Sequence, residues 1–414
     1  MIELFAYLIF ALSIATVFVG RVEGRYIAVA ASVALLLLSA YLGLLVGVVV
    51  AVAALALSLD WQMRAFGVAL AFSASATALA AYVYYSESPP VYGLIALALV
   101  TAAVYGLLAM GRTRENVEGA MKYLVFSGVG KVFIVLGYVL AVTGWRQGLY
   151  LAVVGFMFEL GIVPFHAWVV DAYALGAPRG AAALAAFSKV TALFVLLTIF
   201  RSFRSLPDDG AVGLVTLIVA LASMLVANVA GLTAKTLGRI MAWSSVAHMS
   251  YALAAVAVVW WLGEPKSAPS LFGISTSVAD LAALVVVLEA LSSGLAKAGV
   301  FGYLSTAFSD VMPPRRSVLN VLNVLSLLGL PPLLGFWPKL FLILLALSYP
   351  DPVGAFLVLW IVVNSAAATP YYLRALRMIA EAPGPVADNV TSSYTAFVST
   401  VLGLTMPLVA YILL

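Results

Sequence analysis

Apolar residues fill this chain in long blocks, and the polar positions between them come as short punctuation. Blocks of about twenty apolar residues are the length of a membrane-crossing helix. Fourteen such spans are read at roughly 2–20, 25–41, 43–59, 64–85, 90–110, 118–141, 148–169, 177–201, 211–230, 235–261, 274–308, 317–346, 353–378 and 394–413. Residues 26–59 would make a helix of about 50 Å, too long for a hydrocarbon core of about 30 Å. A split near Gly43 gives two short spans instead. The predicted fold class is an all-α polytopic membrane protein of about fourteen transmembrane helices.

Composition supports this. Of 414 residues, 65% are hydrophobic and 9% charged, with mean hydropathy +1.15. A soluble protein would carry about a quarter charged residues. The first apolar stretch has neither a basic lead nor a small-residue cleavage pattern, so it is read as a helix and not as a signal peptide. The chain has no cysteine, which excludes disulfides, thiolate metal sites and cysteine-held iron–sulfur clusters within it. No glycine-rich phosphate loop and no large hydrophilic domain is present. No cofactor is therefore expected in this chain. The net charge of +4 does not point to nucleic acid.

Charge fixes an orientation. Loops from odd to even spans hold Arg21, Arg25, Arg64, Arg112, Arg114, Lys122, Arg179, Lys235, Arg239, Arg315, Arg316, Arg374 and Arg377. The opposite loops hold only Arg146, Arg201, Arg204 and Lys266. The positive-inside rule places the first set in the cytoplasm and both termini outside, in a multi-pass protein of the cell membrane.

The remaining four basic residues, Lys131, Lys189, Lys297 and Lys339, fall inside spans. Glu159, His248 and Glu289 do so too. A charge in the membrane marks a pathway or a paired site. Structural ion pairs and a proton or ion path both explain any single one; seven at mid-depth on neighbouring spans favour the path. Glu289 and Lys297 are eight residues apart, on one helix face.

Two spans carry breaks. Span seven contains FELGIVPFHAW, with Glu159, Gly161 and Pro164; span twelve contains LSLLGLPPLLGFWPKLF, with Gly329, Pro331, Pro332, Gly335, Pro338 and Lys339. Proline removes a helical hydrogen bond. Two such breaks in corresponding places suggest two halves of an internal repeat. Their spacing of five spans, an odd number, makes the repeats inverted: spans 4–8 and 9–13. The domains are then 1–63 (spans 1–3), 64–201, 211–378, and 394–414 (span 14). His166 follows the first break. With no second histidine or cysteine near it in sequence, it reads as a possible relay and not as a metal ligand. Trp145, Trp260, Trp261 and Tyr371, near span ends, read as interface anchors.

The segments GFMFELGIVPFHAWVVDAYALGAP, AFSKVTALF, LGRIMAWSSVAHMSYAL and LSLLGLPPLLGFWPKLF resemble those of the antiporter-like proton-channel subunits of respiratory complex I. Relatives occur in membrane-bound hydrogenases and multi-subunit sodium/proton antiporters. The resemblance covers about residues 90–380 and is greatest to the N- and M-type subunits, while GLAKAGVFGYL resembles the D type. It implies fourteen helices with breaks in seven and twelve, and proton-pathway roles for Lys189, His248 and Lys339. It also implies other membrane subunits as partners and protons, or sodium, as cargo.

Two departures stand out. Where the family has a helix-five acid, counting back from Tyr105 gives Ala98. Where it has a helix-seven lysine, this chain has Glu159. Lys131, on span six, is expected to pair with Glu159 because the two lie at equal depth on either side of a short turn. One reading is an exchange of acid and base. The rival reading is a degenerate half-channel in which Glu159 only neutralises Lys131. The function expected is proton translocation within a redox-driven complex I-like oxidoreductase. The alternatives are a cation/proton antiporter subunit or a non-pumping structural paralogue.

Overall fold

The computed structural model describes residues 2–18, 24–60, 64–111, 113–203, 210–265, 270–307, 315–349, 352–386 and 388–413. Of the basic loop residues, Arg21, Arg112, Arg204 and Lys266 lie outside these, as do the domain limits at residues 1, 63 and 414.

Among the described residues the regular structure is helical apart from short strand pairs. In order it forms α1 (Ile2–Phe18), α2 (Gly24–Tyr41), α3 (Leu45–Asp60), α4 (Arg64–Tyr85), α5 (Pro90–Ala109), α6 (Arg114–Val142), α7 (Gly148–Leu160) and α8 (Ala167–Leu175). Next come α9 (Pro178–Ala183), a π-helical turn (Leu184–Ser188), α10 (Lys189–Ser202), α11 (Ala211–Thr233) and α12 (Leu237–Leu262). After them are α13 (Val278–Ala307), α14 (Val318–Leu328), α15 (Phe336–Leu347), α16 (Val353–Ala380), α17 (Val390–Leu404) and α18 (Met406–Leu413). Among the described residues eight helices are long and apolar enough to cross a membrane, or nine if the bent pair α17–α18 is one span. The protein is a polytopic, membrane-embedded helical protein. Gly43, at φ +66°, ends α2, a conformation that costs glycine little.

The two proline-marked breaks share one construction. Gly161 closes α7 at φ 70°, its N–H donating to the Phe158 carbonyl, while Ile162 N–H reaches the Met157 carbonyl. Gly329 closes α14 at φ 89°, with Gly329 N–H on the Ser326 carbonyl and Leu330 N–H on the Leu325 carbonyl. Both are Schellman caps. The Val163–Pro164 and Pro331–Pro332 peptide bonds that follow are both cis. Irregular backbone at membrane depth needs partners from the protein. Here Val163 N–H donates to Ser223 Oγ (3.0 Å) and Gly335 N–H to Ser326 Oγ (3.2 Å).

Small residues set the α6–α7 crossing. A Cβ on Gly155 would sit 2.6 Å from the Gly130 carbonyl oxygen, and Gly137 and Gly148 meet in the same way one step along. Close approach of this kind is how membrane helices pack without a hydrophobic driving force. It brings the residues next to the contact, Lys131 and Glu159, to one level. The stretch from α9 through α10 is buried except at its two ends, and α12 and α13 are mostly buried. By contrast most of α6 and of α16 is not buried.

Several sequence expectations are corrected. The span expected from residue 274 begins as α13 at Val278, because Ser270–Leu271 and Ile274–Ser275 pair as an antiparallel hairpin. The single span 394–413 is bent by 86° between α17 and α18. Pro407 is the cause: its ring cannot coexist with a helical bond to the carbonyl four residues earlier. That carbonyl, of Gly403, accepts instead from Trp337 Nε1 (2.9 Å). Tyr371 and Trp260 are not interface anchors. Both are buried, and Tyr371 OH donates to Asn228 Oδ1 (3.0 Å). Trp145 is exposed.

Candidate functional site

The first cluster forms where α6 and α7 cross. Lys131 Nζ donates to Glu159 Oε2 at 2.9 Å. Ser127, one turn before Lys131 on α6, donates to the same oxygen at 2.6 Å and accepts from Lys131. Glu159 is 1% exposed and Lys131 15%, so the pair runs from the interior to the outer face of α6. Burying such a pair is costly unless the remaining lone pairs are met by hydrogen bonds. Among the described residues Glu159 Oε1 has no partner, leaving one carboxylate oxygen open to a water or a proton.

Lys189 approaches the same residue from the other side. Its Nζ donates to the main-chain carbonyl of Glu159 at 2.8 Å and lies 4.3 Å over the Trp168 ring. That carbonyl belongs to the last turn of α7, at the negative end of the helix dipole, where a cation is favoured. The π-helical turn Leu184–Ser188 directly precedes Lys189. Such turns admit an extra residue and recur at functional sites.

The second cluster joins α12, α13, α15 and α16. His248 Nδ1 lies 2.7 Å from Glu289 Oε2, and its Nε2 lies 3.2 Å from Tyr372 OH. Tyr372 OH is in turn 2.7 Å from Ser244 Oγ. Lys297 is buried with no hydrogen-bond partner among the described residues. Lys339 Nζ donates to the carbonyls of Leu328 (2.8 Å) and Leu327 (3.2 Å), the end of α14. Both breaks therefore present freed carbonyls to a lysine ammonium, supplied by α10 in one case and by the far side of the break in the other.

The charges form one succession. Lys189 feels Glu159, Lys297 and Lys131. Lys297 feels Glu289 and Lys339, and His248 feels Glu289, Lys297 and Lys339. Acid and base alternate along most of it, in a medium where charge interactions are strong.

Of the residues singled out in sequence, the structure brings Lys131, Glu159 and Lys189 together, and likewise His248 and Glu289. Lys297 interacts electrostatically with Lys189, Glu289 and Lys339. Pro164, Pro331 and Pro332 lie in the breaks. His166 stands apart from both clusters, 5.2 Å from the Trp243 ring, with Nδ1 unpartnered among the described residues. No group of three or more His, Asp or Glu that could hold a metal occurs among the described residues.

Ala98, expected at the place of the missing helix-five acid, is exposed. The α5 residue that faces the site is Thr101, buried and 3.4 Å from Ser127. Ser127, Thr101 and Tyr372 were missed by sequence reading. The serine's spacing of four residues from Lys131 was the available signal.

Residues 91–365 match the family model described as NADH:quinone oxidoreductase/Mrp antiporter, TM. NADH-quinone oxidoreductase subunit N 2 of Opitutus terrae is 30% identical over 326 residues, 71% of this chain and 65% of the relative. Subunit N of Chromohalobacter salexigens is 30% identical over 303 residues, 68% and 62% respectively. The chain thus spans just under two thirds of the length of these curated relatives. Its fold is similar to a chain of respiratory complex I from Thermus thermophilus, with TM-score 0.71 at 20% identity over 98% of each chain. It is also similar to one in the archaeal membrane-bound sulfane sulfur reductase, with TM-score 0.78 at 15% identity over 99% and 96%. A third likeness is to the Mrp complex from Dietzia sp., with TM-score 0.76 at 16% identity over 100% and 95%. By the match over most of its length, this chain belongs to the NADH:quinone oxidoreductase/Mrp antiporter family of transmembrane subunits.

Proposed function

We propose that the chain is a proton-translocating subunit of a redox-driven, complex I-like membrane assembly, moving protons along Lys131, Glu159, Lys189, Lys297, Glu289, His248 and Lys339. The observation that carries this is the set of buried ionisable groups, Glu159, Lys189, His248, Glu289, Lys297 and Lys339, with Lys131 paired to the first of them. Structural ion pairs alone would leave no reason for Lys297 to be buried without a partner among the described residues.

The finer architecture belongs to the same proposal. Fourteen spans result when the eight long helices are joined by the short α1, α2 and α3, the two broken pairs α7–α8 and α14–α15, and the bent pair α17–α18. Inverted repeats over 64–201 and 211–378 are supported by matched packing. The contacts α4–α5, α5–α6, α6–α7, α6–α8 and α4–α10 correspond in turn to α11–α12, α12–α13, α13–α14, α13–α15 and α11–α16. Residues 1–63 and 394–414 flank them. The bias of basic residues supports a cell-membrane location with both termini outside.

Partner subunits supply the driving energy in this reading, which the similar folds found in chains of multi-subunit complexes support. The relatives named subunits of NADH-quinone oxidoreductase support a redox partner. The likeness to an Mrp complex chain supports the second reading, a cation/proton antiporter. Co-purification separates them: iron–sulfur subunits support the first, further antiporter subunits the second. The test of translocation is proton transfer by the assembled complex in proteoliposomes. Lys189→Met and Lys339→Met should each abolish it with assembly intact, and wild-type transfer in both variants would refute the reading.

A further inference from the structure

One buried polar structure is not used by the axis. Between α14 and α17 four polar rungs climb from the surface to the span-twelve break. Ser317 donates to exposed Asp388. Asn320 Nδ2 donates to Ser392 Oγ (2.6 Å) and to Ser317 Oγ (2.8 Å). Asn323 Nδ2 donates to Thr395 Oγ1 (2.9 Å) and to Asn320 Oδ1 (3.1 Å). Ser399 Oγ donates to Ser326 Oγ (2.9 Å). From Ser317 to Ser326 the rungs recur every third residue, a climb of about 13 Å, and all seven α14 and α17 partners are buried. The next carbonyls along α14, those of Leu327 and Leu328, hold Lys339 Nζ. Gly299 of α13, two residues from Lys297, packs its backbone directly against Asn323 and Thr395.

Many hydroxyls elsewhere turn back on their own helix. Ser58, Ser73, Ser75 and Thr198 each bond the carbonyl four residues earlier in their own helix, the ordinary way to hide a hydroxyl in an apolar bundle. The α14–α17 groups face one another across two helices, although Thr395 Oγ1 also donates to the Ser392 carbonyl of its own helix. Their network is also open: among the described residues Asn323 Oδ1 and Asn389 Nδ2 have no partner. An unmet buried polar atom costs about 1–3 kcal/mol, a cost that water in the site removes.

We propose that this ladder is a hydrated proton path joining Lys339 and Lys297 to the aqueous face that carries Asp388 and Arg316, the face assigned to the cytoplasm. The inference rests on the proton-translocating reading. Protons enter from bulk water beside Asp388. The hydroxyls of Ser317, Ser392, Thr395, Ser326 and Ser399, with intervening water, each accept one proton and release another. Asn320 and Asn323 orient the chain of donors without titrating. The net change is one proton lost from the aqueous face and one gained at a lysine Nζ, with no covalent bond to carbon altered.

The test uses the assembled complex in proteoliposomes with Thr395→Val and Ser399→Ala combined, near-isosteric changes that delete two hydroxyls. Driven proton transfer should fall at least tenfold, and the slowing in D2O should grow as this segment becomes limiting. Thr395→Ser should keep wild-type transfer and isotope effect. Wild-type transfer by the double variant, with Lys339→Met inactive, makes the ladder helix packing only and leaves the translocating role standing. Wild-type transfer by Lys339→Met overturns the reading on which the ladder rests. Should the double variant fail to assemble, Thr395→Val alone decides by the same isotope measurement.

Discussion

Lys189 takes the main-chain carbonyl of Glu159 at 2.8 Å and leaves that residue's carboxylate to Lys131, at 2.9 Å. One glutamate thus holds two ammonium groups through different atoms, and only one of the two contacts depends on its side chain.

Removing the carboxylate should therefore strand Lys131 and leave Lys189 in place. Losing one partner of a buried pair costs about 3–5 kcal/mol. Glu159→Ala should lower the melting temperature of the purified complex more than the double change Glu159→Ala with Lys131→Met. Equal losses in the single and double variants would mean the ion pair contributes nothing.

The α6–α7 crossing should be intolerant of a methyl group. Gly155→Ala would place a Cβ 2.6 Å from both the Gly130 carbonyl and the Ile134 amide, an overpacking of about 1–3 kcal/mol. Gly128→Ala, with nothing within 4 Å, should change thermal stability by no more than about 0.5 kcal/mol. The two melting curves check this directly, and coincident curves would contradict the crossing.

At Lys339 charge alone should be insufficient. Arginine is effectively never deprotonated, so Lys339→Arg should still reach the α14 carbonyls yet lose most driven proton transfer. Transfer above half the wild-type rate would mean that Lys339 does not exchange its proton.

Orientation can be read with introduced thiols because the chain has no cysteine. Gln147 and Lys235 are both exposed, in turns on opposite sides of the bundle by the span order. A membrane-impermeant maleimide added to intact cells should label Gln147→Cys and spare Lys235→Cys. The reverse pattern would invert the topology.

The sequence made the Lys131–Glu159 contact legible because two consecutive helices and a short turn put both residues at one depth. It did not reveal that Lys189 would choose a carbonyl, since main-chain acceptors appear only once a helix is seen to end. Counting along helix five led to Ala98, whereas Thr101, three residues further, is the one that faces the site. An offset in sequence does not name a helix face. The two breaks were readable from Gly161, Pro164, Gly329 and the proline pair. The bend before Pro407 was missed because the apolar run continues through it unchanged.

The π-helical turn at Leu184–Ser188 makes the aim of Lys189 a matter of residue number as well as residue type. Each α-helical residue turns the chain by about 100°. The wide turn absorbs one residue that regular α-helix would convert into such a rotation. Were the same residues wound as regular helix, charge and every named side chain would stay as they are, yet the lysine would swing from Glu159 toward a different neighbour, and an inventory of ionisable residues would not register the loss.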